Sequence, residues 1–358
     1  MKLSALFFRT SAFVIGIVGT LLLLEVVLRV LPVLSGSYAA DPRASWPVHT
    51  MIPNTRYTYS TGWNLQNIHH GRINNFGYVA PDDYQRGRGG IAVFGDSYVE
   101  SLMNEYPDTL QGALNDYLQT PRTVLNFGMS GAEMPDYLGT AALVRQQFAP
   151  DWAVFVITLG DFTRGFSASP GYFEWRHDRS PPVELNPEIH RSDLSKWLRT
   201  VALIRYLRGN LSMRPGELVR LQRGSDTAAG ISRCEPEVLS KQDEALLTAF
   251  ARELPQAAGL PPERVILVFD SDRKAIYAGI TAAERQGCPQ RATLANDRLM
   301  ELAVQNGLRV IDSDPVFRRH FEAGLGPVDR SPIDAHWNPA AHRLMAREVA
   351  RVIDPAHF

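Results

Sequence analysis

Four short segments carry residue types able to attack a carbonyl or move a proton. They are Gly95-Asp96-Ser97, Gly128-Met129-Ser130-Gly131, Leu159-Gly160-Asp161 and, near the C-terminus, Asp334-Ala335-His336. A serine hydroxyl is a weak nucleophile until a base takes its proton, and the base works best when a carboxylate orients it. Ser97, His336 and Asp334 supply one of each. Asp334 and His336 stand two apart in an extended segment and so can face the same way. A serine at a strand-to-helix junction presents its hydroxyl beside a helix N-terminus, which favours developing negative charge. Glycines such as Gly131 and Gly160 let backbone N–H groups come close to an oxyanion.

Each segment also has a plainer reading. A lone Gly-Asp-Ser is commonly a helix N-cap, and a lone histidine is commonly structural; order and position at strand ends weigh toward chemistry here. His342 reads as a helix-surface or packing residue. His69-His70 reads as loop surface, with cleft lining as its alternative. Asp314, following Asp312 after a strand, reads as a helix cap, and Asp270-Ser271-Asp272 as loop caps rather than metal ligands. No His/Asp/Glu spacing suggests a metal site, and acyl chemistry at a serine requires no cofactor. Gly87-Arg88-Gly89-Gly90 precedes a strand instead of following one, so it is not a phosphate-binding loop. Gly128-Met129-Ser130-Gly131-Ala132 misses the G-x-S-x-G elbow at its last position.

The elements that must position these residues are continuous apolar runs of the buried parallel type: Ile91–Phe94, Thr123–Phe127, Trp152–Ile157, Arg264–Phe269 and Leu308–Ile311. Helical periodicity lies between them. One helix is expected from Pro107, with Leu110, Leu114 and Leu118 on one face; others fall near 137–148, 243–254, 294–306 and 339–353. The fold expected is α/β, a three-layer sandwich on a five-stranded parallel sheet with right-handed crossovers. Ligands of such sheets bind beyond the carboxyl ends of the strands, where the four segments fall. Residues 35–90 read as an irregular lead-in, 91–354 as the main domain, and about 163–240 as an insertion over one rim.

The chain has 358 residues, 45% of them hydrophobic and 21% charged, which excludes wholesale disorder. The formal net charge of −1 and the absence of a Lys/Arg cluster give no footprint for nucleic acid. The N-terminus is different. Lys2 and Arg9 precede an apolar stretch over residues 11–34, broken only by Glu25, Arg29 and Pro32 and about long enough to cross a bilayer. Glu25 and Arg29 are four apart and can pair on one helix face. Residues 1–34 are therefore expected to form a signal anchor; a cleaved signal, cut near Ser37-Tyr38-Ala39, is the alternative. Basic residues ahead of the span put the N-terminus in the cytoplasm and the bulk of the chain outside. In an oxidising compartment Cys234 and Cys288 can pair, closing a ~55-residue loop worth about 4 kcal/mol in the chain-entropy model. Two free buried thiols are the alternative.

Gly95-Asp96-Ser97, Gly131 after a strand and Asp334-x-His336 near the C-terminus resemble the SGNH/GDSL hydrolase superfamily over about 91–354. The anchor with its Glu/Arg pair, and Ile73-Asn74-Asn75-Phe76-Gly77-Tyr78 ahead of the serine, look like its membrane-tethered branch. The resemblance implies a flavodoxin-like sheet. It also implies Ser97 as nucleophile, His336 as base, Asp334 as its orienter, and Ser97 and Gly131 as oxyanion donors, without cofactor. The D-x-H spacing is similar to that of relatives acting on O-acetyl groups of bacterial exopolysaccharides such as alginate. The implied setting is the bacterial inner membrane with the domain in the periplasm, an ester-bearing saccharide as substrate, and partners in a polysaccharide export or modification assembly. One position departs. The family's third block places an oxyanion-hole Asn where this chain has Gly160, a loss worth about 10²–10³ in rate. Asn104 and Asn126 are conceivable replacements; a binding protein without turnover is the other reading.

Overall fold

The computed structural model describes residues 2–40, 43, 46–162, 170–176, 179, 181–186, 192–213, 237–280, 290–331 and 333–358. Cys234 and Cys288 lie outside the described residues, as does much of the expected insertion. The chain divides into two compact units, one of residues 1–38, 56–70 and 190–230, the other of 39–55, 71–189 and 231–358.

The larger unit is built on five parallel strands: β1 (Ile91–Gly95), β2 (Val124–Gly128), β3 (Trp152–Ile157), β4 (Val265–Phe269) and β5 (Arg309–Asp312). Their spatial order is 2-1-3-4-5, the flavodoxin-like doubly wound order. The register pairs Ile91 with both Val124 and Trp152. The period-2 alternation of β1 sends Ile91 and Val93 toward Ala341, Met345 and Val349 of the C-terminal helix, Pro339–Ile353. Phe94 faces the other way, stacked on Phe155 with ring centroids 4.6 Å apart. On that side the helix Met134–Phe148 packs on Lys241–Ala258, which in turn meets Arg291–Gln305. Both faces of the sheet are thus covered, as uninterrupted apolar strands require. The unit also contains two small antiparallel pairs, Phe173–Trp175 with Val183–Leu185 and Asp329–Arg330 with Asp334–Trp337.

The helix expected from Pro107 is broken into three single turns, at 106–108, 110–113 and 114–116. Thr109 is the cause. It takes an extended conformation and its hydroxyl accepts the Gly112 N–H, ending one turn and starting the next. Leu110, Leu114 and Leu118 are still buried together.

In the smaller unit the helix Lys2–Val30 holds a stretch, Phe7–Val30, long and apolar enough to span a membrane. Arg29 Nε donates to Glu25 Oε1 at 2.8 Å. The same carboxylate accepts the Ala202 and Leu203 N–H groups at 3.0 and 2.9 Å, capping the short helix Ala202–Arg205. Leu28, Val33 and Ala202 are buried together beside it. A two-stranded sheet, Arg56–Thr61 with Gln66–Arg72, carries His69 and His70, so these residues sit on a strand and not in a loop.

Two glycines at the strand ends set how closely the next element can pack. A Cβ on Gly95 would stand 2.4 Å from Val99 Cγ2, and one on Gly128 would stand 2.3 Å from the Glu100 backbone nitrogen. The Gly128 clash is with backbone and cannot be relieved by a rotamer. Gly128→Ala is therefore expected to destabilise by about 3 kcal/mol, at the upper end for overpacking, as read from the urea midpoint of the detergent-solubilised chain. Gly160→Ala, whose Cβ would meet, among the described residues, only Thr158 Oγ1 at 3.7 Å, is expected to stay within about 0.5 kcal/mol of wild type.

Candidate active site

Ser97 opens a one-turn helix, Ser97–Glu100, directly after β1. Asp96 is its N-cap, accepting the Tyr98 N–H at 2.9 Å, and Ser101 closes the turn with φ of 53°. The plain reading of Gly-Asp-Ser as a cap therefore holds for Asp96, while Ser97 is left to face elsewhere. As the first helical residue it has an N–H with no acceptor inside the helix. Gly131, in the loop after β2, has φ of +82°, a conformation that favours glycine.

The C-terminal segment reaches the same mouth. Ser97 Oγ lies 2.7 Å from His336 Nε2, and His336 Nδ1 lies 2.5 Å from Asp334 Oδ1. The network assigns the proton to Nδ1, which donates to the carboxylate and leaves the Nε2 lone pair for the serine hydroxyl. Asp334 Oδ1 also accepts the backbone N–H of His336 at 3.0 Å. That second bond explains the two-residue spacing: one oxygen holds both the ring and the backbone of His336. Burial pulls the imidazole pKa down, but Asp334, Asp96 and Glu100 outweigh it, and the net shift is upward from 6.5.

A buried guanidinium joins the two segments. Arg273 Nη2 donates to the Ala335 carbonyl and to the Tyr98 hydroxyl, each at 2.6 Å. Its Nε donates to Asp329 Oδ2 at 3.0 Å, and Nη1 pairs with Asp270. Asp270 also accepts the Trp337 indole N–H at 2.8 Å, while the Tyr98 hydroxyl donates to Ala335 O at 3.0 Å. Asp270 is thus an ion-pair partner, whereas Asp272 caps the following helix as expected. Ser313, and not Asp314, takes the cap position after β5; Asp314 starts the helix and pairs with Arg318.

His342 is fully buried and held neutral. The Leu110 N–H donates to its Nδ1, its Nε2 faces Ser101 Oγ at 3.1 Å, and burial with the neighbouring His336 pushes its pKa down to about 3. Neither conceivable replacement for the missing amide is available. Asn104 Nδ2 donates to Ser101 Oγ and Trp337 O, both at 2.9 Å, and Asn126 is buried on β2, donating to Val79 O. Gly160 is exposed and lacks a left-handed φ. Asp161 beside it accepts from Thr158 N, Thr158 Oγ1 and Tyr137 OH at 2.8–2.9 Å, shaping the turn after β3. A cavity of about 530 Å³ lined by Tyr84, Tyr106, Gln111 and Arg122 contains none of these residues. The Ser97–His336 pair opens instead on the surface, with the His336 side chain 29% exposed.

Comparison with protein-family profiles yields no match, and comparison with curated proteins yields none either. Among solved structures, the chain is similar to a lipolytic protein of the G-D-S-L family from Veillonella parvula, at 12% identity and a TM-score of 0.37 over 75% of this chain and 98% of that one. It is also similar to an acetyl xylan esterase of Geobacillus stearothermophilus (15%, 0.39, 75% and 96%) and to Est24, a carbohydrate acetylesterase of Sinorhizobium meliloti (11%, 0.37, 75% and 99%). Likenesses this distant say nothing about the reaction, which has to be read from the chain's own site.

The loop that carries Gly131 is pinned by residues that sequence reasoning missed. Ser130 donates its hydroxyl and, at 3.3 Å, its backbone N–H to Glu100, while Tyr172 OH donates to Ser130 O at 2.8 Å. Glu100 is 3% exposed, and burial raises its pKa to about 7 against the Ser130 bonds. The folded protein therefore keeps a proton that the unfolded chain, with a carboxyl near 4.5, releases. Stability from this group is intact below about pH 4.5 and falls as pH rises toward 7, by on the order of 3 kcal/mol. Glu100→Gln, whose amide can donate to the Ser130 hydroxyl, is expected to flatten that part of the stability–pH curve. Urea midpoints of both proteins across this window check it.

Proposed function

We propose that this chain is a serine esterase or O-acyl transfer enzyme of the SGNH/GDSL kind, acting on O-acetyl groups of an extracytoplasmic saccharide and tethered by its N-terminal helix to the bacterial inner membrane. The observation that carries the reading is the continuous chain of hydrogen bonds from Ser97 Oγ through His336 to Asp334. In the first half-reaction Ser97 Oγ bonds to the acyl carbon as its proton passes to His336 Nε2. The negative charge developing on the carbonyl oxygen is met by the Ser97 and Gly131 N–H groups. The intermediate collapses, the carbon–oxygen bond to the sugar breaks, and the Nε2 proton goes to the departing alkoxide. Water or a second sugar hydroxyl then attacks the acyl-serine, giving its proton to His336 Nε2; the bond between Ser97 Oγ and the acyl carbon breaks, and the Nε2 proton returns to Ser97 Oγ. Throughout, Asp334 keeps the imidazole in the productive tautomer.

Retention of the helix as an anchor is supported by Glu25, whose carboxylate caps the helix Ala202–Arg205; cleavage near residue 39 would remove that cap. A second reading, a saccharide-binding protein without turnover, is favoured by one observation, the glycine at position 160.

Incubation of the full chain with 4-nitrophenyl acetate and with acetylated saccharides separates the two. Wild type is expected to release acetate or transfer it, and Ser97→Ala to lose at least about 10³-fold in kcat/KM. The rate should fall on the acid side as His336 takes a proton, with a midpoint above 6.5. Asp334→Asn is expected to move that midpoint to lower pH and to depress the plateau. A wild-type protein as inert as Ser97→Ala favours the binding protein.

Gly160→Asn tests the oxyanion hole directly. The first side-chain atom is tolerated, since among the described residues its Cβ would meet Thr158 Oγ1 alone, at ordinary contact distance. A restored donor is expected to raise kcat by up to about 10² while leaving KM nearly unchanged, because the contact strengthens in the transition state. Steady-state kinetics of the two proteins check it.

A further inference from the structure

The smaller unit leaves large apolar side chains in the open at a defined level of the N-terminal helix. Arg9 and Glu25, the charges that bracket the uninterrupted apolar stretch, are about 24 Å apart along that helix at 1.5 Å per residue, comparable to the ~30 Å hydrocarbon thickness of a bilayer. Glu25 therefore falls at the membrane boundary, and whatever packs on residues 25–33 lies at headgroup depth. The helix Ala202–Arg205 is fixed there by the Glu25 carboxylate and by burial of Ala202 with Leu28 and Val33. Just ahead of it is the short helix Asp193–Leu198, which carries Leu194 (65% exposed) and Trp197 (60% exposed) one turn apart. Trp63, 76% exposed, is tied to the same level, because Tyr206 packs against the Leu28 cluster and its hydroxyl donates to the Trp63 carbonyl at 2.7 Å. Residues 192–213 also contain Lys196, Arg199, Arg205 and Arg208 against a single acid, Asp193. Three large apolar side chains exposed at one level of the helix, and not scattered singly over the surface, mark an interaction site. Trp at the lipid–water boundary with basic residues nearby is the composition of a membrane-interface belt.

We propose that Trp63, Leu194 and Trp197 form an interfacial collar that inserts into the headgroup region of the anionic bilayer crossed by the N-terminal helix. The collar rests on the reading of that helix as a retained anchor. It adds a second, peripheral attachment around the point where the chain leaves the membrane.

The test uses the full chain in vesicles of phosphatidylethanolamine and phosphatidylglycerol, with tryptophan fluorescence quenched by lipids spin-labelled either near the headgroup or deep in the acyl chain. The chain has six tryptophans, so Trp63→Phe, Trp197→Phe and the double variant assign the signal. The expected result is strong quenching by the shallow label, weaker quenching by the deep one, and loss of most of the shallow-quenched fluorescence in the double variant. Vesicle flotation of the wild type runs alongside. If the chain floats with the vesicles but the shallow label leaves its fluorescence unchanged, the anchor stands and the collar is overturned. The same holds if Trp63 and Trp197 remain fully open to iodide in the floated protein. If the chain does not float, the anchor reading fails and the collar with it.

Discussion

A single buried guanidinium organises the mouth of the sheet. Arg273 meets the loop after β4 through Asp270, the C-terminal hairpin through Asp329, the serine turn through Tyr98, and the histidine segment through the carbonyl of Ala335. A buried cation is costly unless its donors are satisfied, and here every donor nitrogen of the fork has a partner. The geometry that brings His336 to Ser97 depends on this arrangement, because the histidine segment is a four-residue strand paired, among the described residues, only to a two-residue one. Removing Arg273 would leave Asp270 and Asp329 buried without their counter-charge and take from the Ala335 carbonyl one of its two donors.

Electrostatics around the serine are arranged by depth. Asp334 is spent on His336, so the imidazole is raised and can hold a proton. Asp161, fully buried near Asp96, is pushed well above the ordinary carboxylate range by burial and by that neighbouring charge. Glu100, also buried, titrates near neutrality while holding the Gly131 loop through Ser130. Carboxylates near the serine therefore play different parts according to burial and partners.

Much of this was legible in the amino-acid sequence. Buried parallel strands are nearly pure apolar runs, so Ile91–Phe94 and Trp152–Ile157 declare themselves, and the residues after them fall at the mouth. Asp334 and His336 declare themselves by type and spacing. Arg273 does not, because three of its four partners lie 56, 62 and 175 positions away, the nearby Asp270 reads as a loop cap, and an arginine in a helix's first turn looks like any other. Glu100 and Tyr172 were hidden for the same reason. The helix expected from Pro107 failed because leucine periodicity survives a chain of separate turns, while a threonine able to cap in mid-helix is a weaker signal than three leucines.

The cap supplied by Glu25 imposes an order on biosynthesis. The N–H groups that it accepts belong to residues 177 and 178 positions downstream. At bacterial or eukaryotic synthesis rates those residues follow the helix by roughly ten to thirty seconds. During that delay an acidic side chain waits at the end of an apolar helix with no tertiary partner. Arg29, one turn away, is made almost at once and lies 2.8 Å from the carboxylate in the finished protein. A local ion pair of this kind can shelter the charge until the chain that needs it as a cap arrives.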